Sequence, residues 1–333
     1  MPTPPTPIAA LLTRLGREWF LLGLAGVVLL AYLFPNAGSQ ASPIPWHSVT
    51  TVGVGIIFFA YGLRLSPTKL KAGMRNWQLH VLTQAATFVL FPLLALAVRP
   101  LFTGPEGALL WNSIFFLCAL PSTVSTSVVM VSIALGNIPA AIFNATLSGL
   151  LGIVLTPLLT SLVLHTGAAS VPLQDLVLDL MLQVIVPVAA GVGLNRWLGA
   201  FAEQHGQLLR TSDQVIILLI VFTAFCESFA QGVFRSYAWL DVVGLGAGMV
   251  ALYFAVFGLV WGISRLLAFP RADRITAVFC GSKKSLVHGS VFASLLFPGA
   301  ATGALLLPLM LYHALQIMVA STMAQRMGRQ AAA

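Results

Sequence analysis

Two adjacent lysines, Lys283 and Lys284, lie inside a stretch that is otherwise apolar enough to cross a membrane. An ammonium group at the centre of a bilayer costs at least about 2.5–3.5 kcal/mol, so an intramembrane lysine indicates a functional site. Gly281 and Ser282 directly precede the pair and weaken a helix. We therefore expect the helix to break here and the lysines to line a cavity, as in a transporter binding site.

The composition indicates a membrane protein. Of the 333 residues, 58% are hydrophobic and only 8% are charged, and the mean hydropathy is +0.94; a water-soluble domain of this size is excluded. The net charge is +8, but the basic residues are scattered between apolar runs, so we expect the lipid bilayer and not a nucleic acid as the partner. The three cysteines have no C-x-x-C spacing and predict neither a disulfide framework nor a metal centre.

Ten apolar runs have about the 17–25 residues that a membrane helix needs. They cover 19–34, 47–63, 78–101, 109–135, 139–165, 172–195, 213–233, 238–268, 273–297 and 302–325. With the N-terminus in the cytoplasm, thirteen Lys and Arg residues fall on the cytoplasmic side and only Arg99 and Arg235 outside. This bias predicts a multi-pass protein of the inner membrane with both termini cytoplasmic. The first run could also be a signal peptide, but its removal would leave nine spans and spoil the charge alternation.

Ten spans divide into five plus five, and two halves of five helices have opposite orientations in the membrane. The sequence thus predicts an all-α polytopic protein with an N-terminal tail (1–11), two inverted repeats and a C-terminal tail. The repeats cover 12–165 and 166–326, and the tail 327–333. The fourth span of each half carries an interruption, at 120–127 and at 281–285. Interruptions at matching positions of two halves indicate the transport site.

Polar side chains near these interruptions are candidates for the site. Ser125 and Thr126 can line it or can merely cap the half-helix that starts near Pro121. Glu227, deep in the seventh span, is the candidate partner of Lys284, because each isolated charge is costly in the membrane; the alternative is a structural ion pair. Further candidate binding residues are Gln84, Asn144, Lys283, Ser285, His313 and Gln316. Gln84, Asn144, His313 and Gln316, as well as His288, could instead form hydrogen bonds between packed helices.

Several motifs together resemble the bile acid:sodium symporter superfamily, solute carrier family 10, and in particular the bacterial transporters related to its seventh human member. The motifs are Thr83-Gln84 with Phe91-Pro92, Pro121 with Val124-Ser125, Gly136-Asn137, Ala141-Ile142-Phe143-Asn144, Phe225-Cys226-Glu227, Phe279-Cys280 with Lys284-Ser285-Leu286, and Leu311-Tyr312-His313 with Gln316-Ile317. The resemblance implies ten helices in two inverted repeats, with broken fourth and ninth helices that cross.

The resemblance also implies two sodium ions, but this sequence departs from their ligands. Phe279 stands where symporters of the superfamily have a glutamate, and Lys283 and Lys284 stand where they have glutamine and asparagine. Ala141 and Ala145 replace two hydroxyl ligands, which leaves Ser125, Thr126 and Asn144 as candidates for a sodium site. One hypothesis is that a lysine ammonium occupies the position of one sodium ion.

These observations predict a secondary active transporter that carries a small organic anion by alternating access, with sodium or protons as the coupling ion. Apart from sodium, we expect no cofactor. The alternative is a membrane sensor or regulator that binds a solute or cation without moving it, which includes a role in calcium handling. An intramembrane enzyme is disfavoured, because the spans carry no G-x-S-x-G, no H-E-x-x-H and no carboxylate pair.

Overall fold

A computed structural model describes residues 19–65, 76–163, 181–236, 239–297, 299 and 301–332. Within these ranges the regular secondary structure is entirely helical. The helices are α1 (Trp19–Leu33), α2 (Trp46–Leu63), α3 (Trp77–Ala85, Ala86–Leu90 and Phe91–Ala97 in succession), α4 (Gly104–Ala119), α5 (Ser125–Ile133), α6 (Ile138–Val163), α7 (Met181–Ile185 and Val186–Gln204), α8 (Gly206–Ala230), α9 (Trp239–Leu266), α10 (Arg271–Gly281), α11 (Leu286–Leu296) and α12 (Ala301–Ala332).

Seven helices in the described part of the chain are long and apolar enough to cross a membrane. The protein is therefore a multi-pass membrane protein. Two of the ten predicted spans are interrupted. The fourth consists of α4 and α5, and the ninth consists of α10 and α11. The predicted N-terminal tail and the start of the sixth predicted span lie outside the described residues. Helix α12 continues through 327–332 beyond the predicted last span.

Both predicted interruptions are present as non-helical segments. The second covers 282–285, between α10 and α11. The first covers 120–124 and is shorter than predicted, because the helix resumes at Ser125. The Thr123 hydroxyl lies 2.6 Å from that of Thr126 and 3.0 Å from that of Ser127. Because these hydroxyls bond to one another, Thr126 and Ser127 lie in the first turn of α5 and do not extend the break.

The two breaks contact each other. The Ser285 amide donates to the Pro121 carbonyl at 2.9 Å, and the Ser122 hydroxyl donates to the Cys280 carbonyl at 2.6 Å. The ends of α4 and α10 and the beginnings of α5 and α11 therefore meet at one place. We call the residues 120–124 and 282–285 the crossing.

A second group of helices faces the crossing. Helices α2 and α7 pack backbone to backbone at Gly62 and Gly191, where an added Cβ on either glycine would overlap main-chain atoms of the other helix. The Asn195 side chain of α7 also donates to the Leu63 carbonyl at 2.6 Å. Helix α8 packs against α1 and α2. Helices α1, α2 and α8 form a wall opposite the crossing. The space between this wall and the crossing contains the larger of the two cavities described below.

Candidate functional site

The Lys284 side chain ends in a shell of three main-chain carbonyl groups. Its Nζ donates to the carbonyl oxygens of Thr87 at 2.8 Å, Cys118 at 2.6 Å and Leu120 at 2.7 Å. The Phe91 ring also faces this ammonium, with its centroid 4.1 Å from Nζ. Lys284 is completely buried. An ammonium group has three N–H donors, and here each has one acceptor.

Local helix geometry explains why these carbonyls are free to accept. Cys118 and Leu120 lie at the end of α4, where the last carbonyls have no partner within the helix. Thr87 lies in the Ala86–Leu90 segment of α3, which is a π-helix; such segments interrupt the regular hydrogen-bond pattern and occur often at functional sites. The end of α4 also carries the negative pole of the helix dipole. The structure thus offers Lys284 a cation site made from peptide groups.

Gln316 of α12 holds the backbone of Lys284. Its Oε1 accepts from the Lys284 amide at 2.9 Å, and its Nε2 donates to the Lys284 carbonyl at 2.8 Å. Both bonds fix the orientation of the Gln316 amide, so the 2.9 Å contact from Nε2 to His313 Nδ1 makes that ring nitrogen an acceptor. The hydrogen of the neutral His313 ring is then on Nε2. The structure therefore joins Lys284, Gln316 and His313 in one network.

Lys283 points elsewhere. It is also completely buried, but its Nζ donates to one carbonyl among the described residues, that of Thr126, at 2.8 Å. The Phe279 ring is 5.9 Å from Nζ, at the edge of the cation–π range. The two neighbouring lysines consequently have separate surroundings, as expected for residues about 100° apart around a helix axis. Neither lysine is among the residues that line the cavity of about 590 Å³ beside the crossing; the Lys284 ammonium is enclosed by its three carbonyl acceptors.

A cavity of about 590 Å³ separates the crossing from the wall formed by α1, α2 and α8. On the side of the crossing it is lined by Thr123, Thr126, Ser285 and His288, and on the opposite wall by apolar groups that include Phe20 and Phe58. A cavity of this size can hold a small organic molecule. Of the predicted binding residues, Thr126, Ser285 and His313 line it.

His288 places a buried ring nitrogen without a partner among the described residues next to this cavity. The Ser285 hydroxyl caps α11 by accepting from the His288 amide at 3.3 Å, and it lies 3.0 Å from the ring nitrogen Nδ1. A hydroxyl can accept from two donors or can itself donate, so the contact with Nδ1 is a hydrogen bond in either tautomer of the ring. The other ring nitrogen, Nε2, is buried and has no hydrogen-bond partner among the described residues. An unpaired buried polar atom is costly and would be satisfied by a polar atom of an incoming ligand.

The cavity also reaches a group of charges at the ends of α2 and α8. Arg64 donates from Nη2 to Asp213 Oδ2 at 2.7 Å, and Arg210 lines the same cavity. The second oxygen of Asp213 is buried without a partner in the described part of the chain. Two guanidinium groups and one carboxylate leave an excess positive charge at this side of the cavity, which attracts anions.

The predicted ion pair between Glu227 and Lys284 is wrong for this conformation. Glu227 lies in the last turn of α8, half-buried, and accepts from the backbone amide of Gln40 at 2.9 Å and from the Gln231 side chain. It lines a different pocket of about 520 Å³, together with Gln40 and Thr302. The reason for the error is that peptide carbonyls enclose Lys284, whereas Glu227 has donors at the end of its own helix and on the segment between α1 and α2.

The candidate sodium ligands also have separate partners. Asn144 is completely buried in α6, and its carbonyl and side-chain oxygens accept from Gln84 Nε2 at 3.1 and 3.3 Å. Thr126 instead contacts Thr123 across the start of α5. The side chain of Ser125 lies outside what the structure describes. A sodium site built from Ser125, Thr126 and Asn144 stays a prediction.

Sequence reasoning missed three contributors to the cavity. Arg64 and Arg210 belong to the thirteen basic residues on the cytoplasmic side, but the charge bias gives the side of the membrane and not the direction of a side chain. For His288 the sequence favours a packing role. Its position three residues after Ser285, at the start of a half-helix, was the available signal.

Comparisons with known proteins show the family of this chain. The profile of the SBF-like CPA transporter family matches residues 18–329. An uncharacterized protein of Pseudomonas aeruginosa is 43% identical over 93% of both chains. YfeH of Escherichia coli, whose name describes a proposed symporter, is 37% identical over 93% of both chains. The sodium/bile acid cotransporter 7-B of Xenopus laevis is 30% identical over 94% of this chain and 92% of its own. These matches confirm the resemblance drawn from the motifs.

Proposed function

Because this chain belongs to the SBF-like CPA transporter family, and so to a family of transporters and not of enzymes, we propose that it carries a small organic anion in symport with sodium or protons. The observation that supports an anion most strongly is the cavity between the crossing and the wall of α1, α2 and α8. It combines apolar surface with hydrogen-bond donors and a net positive charge. That combination suits an organic molecule with an acidic group.

The donors on the side of the crossing favour acceptor oxygens of a substrate. Helices α5 and α11 begin there, and the first N–H groups of a helix have no partner within it and carry partial positive charge. In this proposal His288 carries its ring hydrogen on Nε2, the buried nitrogen that has no hydrogen-bond partner among the described residues. A carboxylate or sulfonate oxygen would satisfy such donors. In this proposal His288 contacts the substrate and Phe20 and Phe58 pack against its apolar part.

The same proposal includes the organisation of the chain in the membrane. Ten spans in two inverted repeats, 12–165 and 166–326, would place both termini in the cytoplasm of a cell with an inner membrane. The cavity, which reaches Arg64 and Arg210, would then open to the cytoplasm, and the pocket beside Glu227 would lie on the outer side. Movement of the crossing against the wall of α1, α2 and α8 would expose the substrate alternately to each side.

A binding screen followed by counterflow tests this function. The purified protein is melted in detergent with taurocholate, other carboxylates and sulfonates, and their uncharged amide analogues; a ligand of the folded state raises the melting temperature. We expect anions to stabilise the protein and the matched amides to have no effect. An equal effect of the amides would contradict the anion preference.

Variants of His288 sharpen the same screen. His288→Gln keeps an N–H donor near the position of Nε2, whereas His288→Phe keeps the ring without the donor. We expect the Gln variant to retain more of the affinity for the stabilising anion than the Phe variant. Labelled anion is then tested for counterflow in proteoliposomes. Binding without flux would favour the solute sensor over the transporter.

A further inference from the structure

The crossing concentrates negative partial charge at one point. Helix α4 ends there at Ala119 and α10 ends there at Gly281. The final carbonyl groups of both helices lack partners within their helices and carry the negative pole of the dipole. Oxygen atoms in this arrangement resemble the carbonyl ligands that hard cations such as sodium accept from proteins. These helix ends therefore stabilise a cation placed beside them.

Lys284 supplies that cation from the chain itself. Its Nζ contacts the Thr87, Cys118 and Leu120 carbonyls at 2.6–2.8 Å, and no water-exposed surface remains on the residue. The three bonds match the three N–H groups of the protonated amine. A neutral amine has two N–H groups and would leave one carbonyl oxygen facing its lone pair. The geometry is thus specific for the ammonium form.

The bonds of Lys284 connect three separate parts of the fold. Thr87 belongs to the π segment of α3, Cys118 and Leu120 to the end of α4, and Lys284 itself to the second break. Gln316 adds a fourth part, because its amide holds the backbone of Lys284 from α12. A bound metal ion would link the same carbonyl groups in the same manner, but it could dissociate.

We propose that the Lys284 ammonium is a built-in cation that permanently occupies a carbonyl-lined cation site at the crossing. The crossing is then stabilised without a mobile ion at this position, and any coupling ion binds elsewhere. This inference concerns what stabilises the crossing and is independent of which substrate the cavity accepts.

Chemical rescue of a truncated lysine tests the built-in cation. Lys284→Ala leaves the three carbonyl groups facing an empty space that a small cation can enter. The melting temperature of the purified variant is measured in rising concentrations of methylammonium chloride, with tetramethylammonium chloride at the same ionic strength as the control, because tetramethylammonium has no N–H donor. We expect Lys284→Ala to melt below the wild type and to regain part of the loss with methylammonium but not with tetramethylammonium.

Lys284→Met and Lys283→Met are the matched controls. Lys284→Met keeps the volume of the side chain without its charge, so it should melt below the wild type and show no rescue. The same change at position 283 should lower the melting temperature less. A Lys284→Ala variant that methylammonium stabilises no more than tetramethylammonium would overturn the proposal. If Lys284→Ala cannot be purified, Lys284→Met decides: a melting temperature below that of Lys283→Met supports the proposal, and one equal to or above it overturns it.

Discussion

Lys283 and Lys284 are neighbours at the crossing and are both completely buried, but their ammonium groups have different surroundings. Lys284 is enclosed by three carbonyl groups and an aromatic ring. Lys283 has one carbonyl acceptor among the described residues, on Thr126, which itself lines the cavity. We infer that the number of acceptors around a buried charge, and not burial alone, distinguishes the two lysines.

Replacement of Lys284 should have the largest effect on stability. In Lys284→Met three buried carbonyl groups lose their donor at once, and each buried polar group left without a partner costs about 1–3 kcal/mol. Removal of the buried charge offsets part of this loss. We expect the free energy of unfolding to fall by about 3–5 kcal/mol, measured by denaturant titration in mixed micelles. Wild-type stability in this variant would show that the carbonyl shell is not a cation site.

Replacement of Gln316 should have an intermediate effect. Gln316→Leu removes the donor and the acceptor that hold the backbone of Lys284, and each buried polar group left without a partner costs about 1–3 kcal/mol. Leucine and glutamine have similar helix propensities, so the helix itself is little affected. We expect a loss of about 2–3 kcal/mol in the same titration. Thr322→Val, an exposed change on the same helix, is the control and should be nearly neutral.

Replacement of Lys283 should have the smallest effect on stability. Lys283→Met loses one hydrogen bond but also removes a buried charge with few acceptors, and these two contributions oppose each other. We expect the free energy of unfolding to change by less than about 1 kcal/mol. A loss as large as that of Lys284→Met would remove the distinction between the two lysines.

The sequence predicted the breaks and indicated Lys284 as a candidate site residue, because both leave direct signs in residue types. Pro121, Gly281 and Ser282 disfavour a continuous helix, and a lysine in an apolar span is unusual. The partners of Lys284 could not be predicted in this way. Its acceptors are peptide carbonyls, which every residue has, and they are free only because α4 ends and α3 contains a π segment at this place.

Glu227 shows a second limit of the sequence, which is that hydropathy does not show where a helix ends. Hydropathy placed it deep in a span, but α8 ends three residues later, at Ala230. In the last turn of a helix a carboxylate can reach donors from a neighbouring loop, and Glu227 accepts from the Gln40 amide. Two isolated charges in apolar spans therefore suggested a pair, whereas the ends of the helices provided each with its own partners.

The response of the melting temperature to sodium tests the built-in cation most directly. Wild-type protein and Lys284→Ala are melted in sodium chloride and in choline chloride at equal ionic strength, over a range of sodium concentrations. If the ammonium fills a cation site, truncation opens that site, and sodium should stabilise Lys284→Ala more than it stabilises the wild type. An equal or smaller response of the variant would contradict the account.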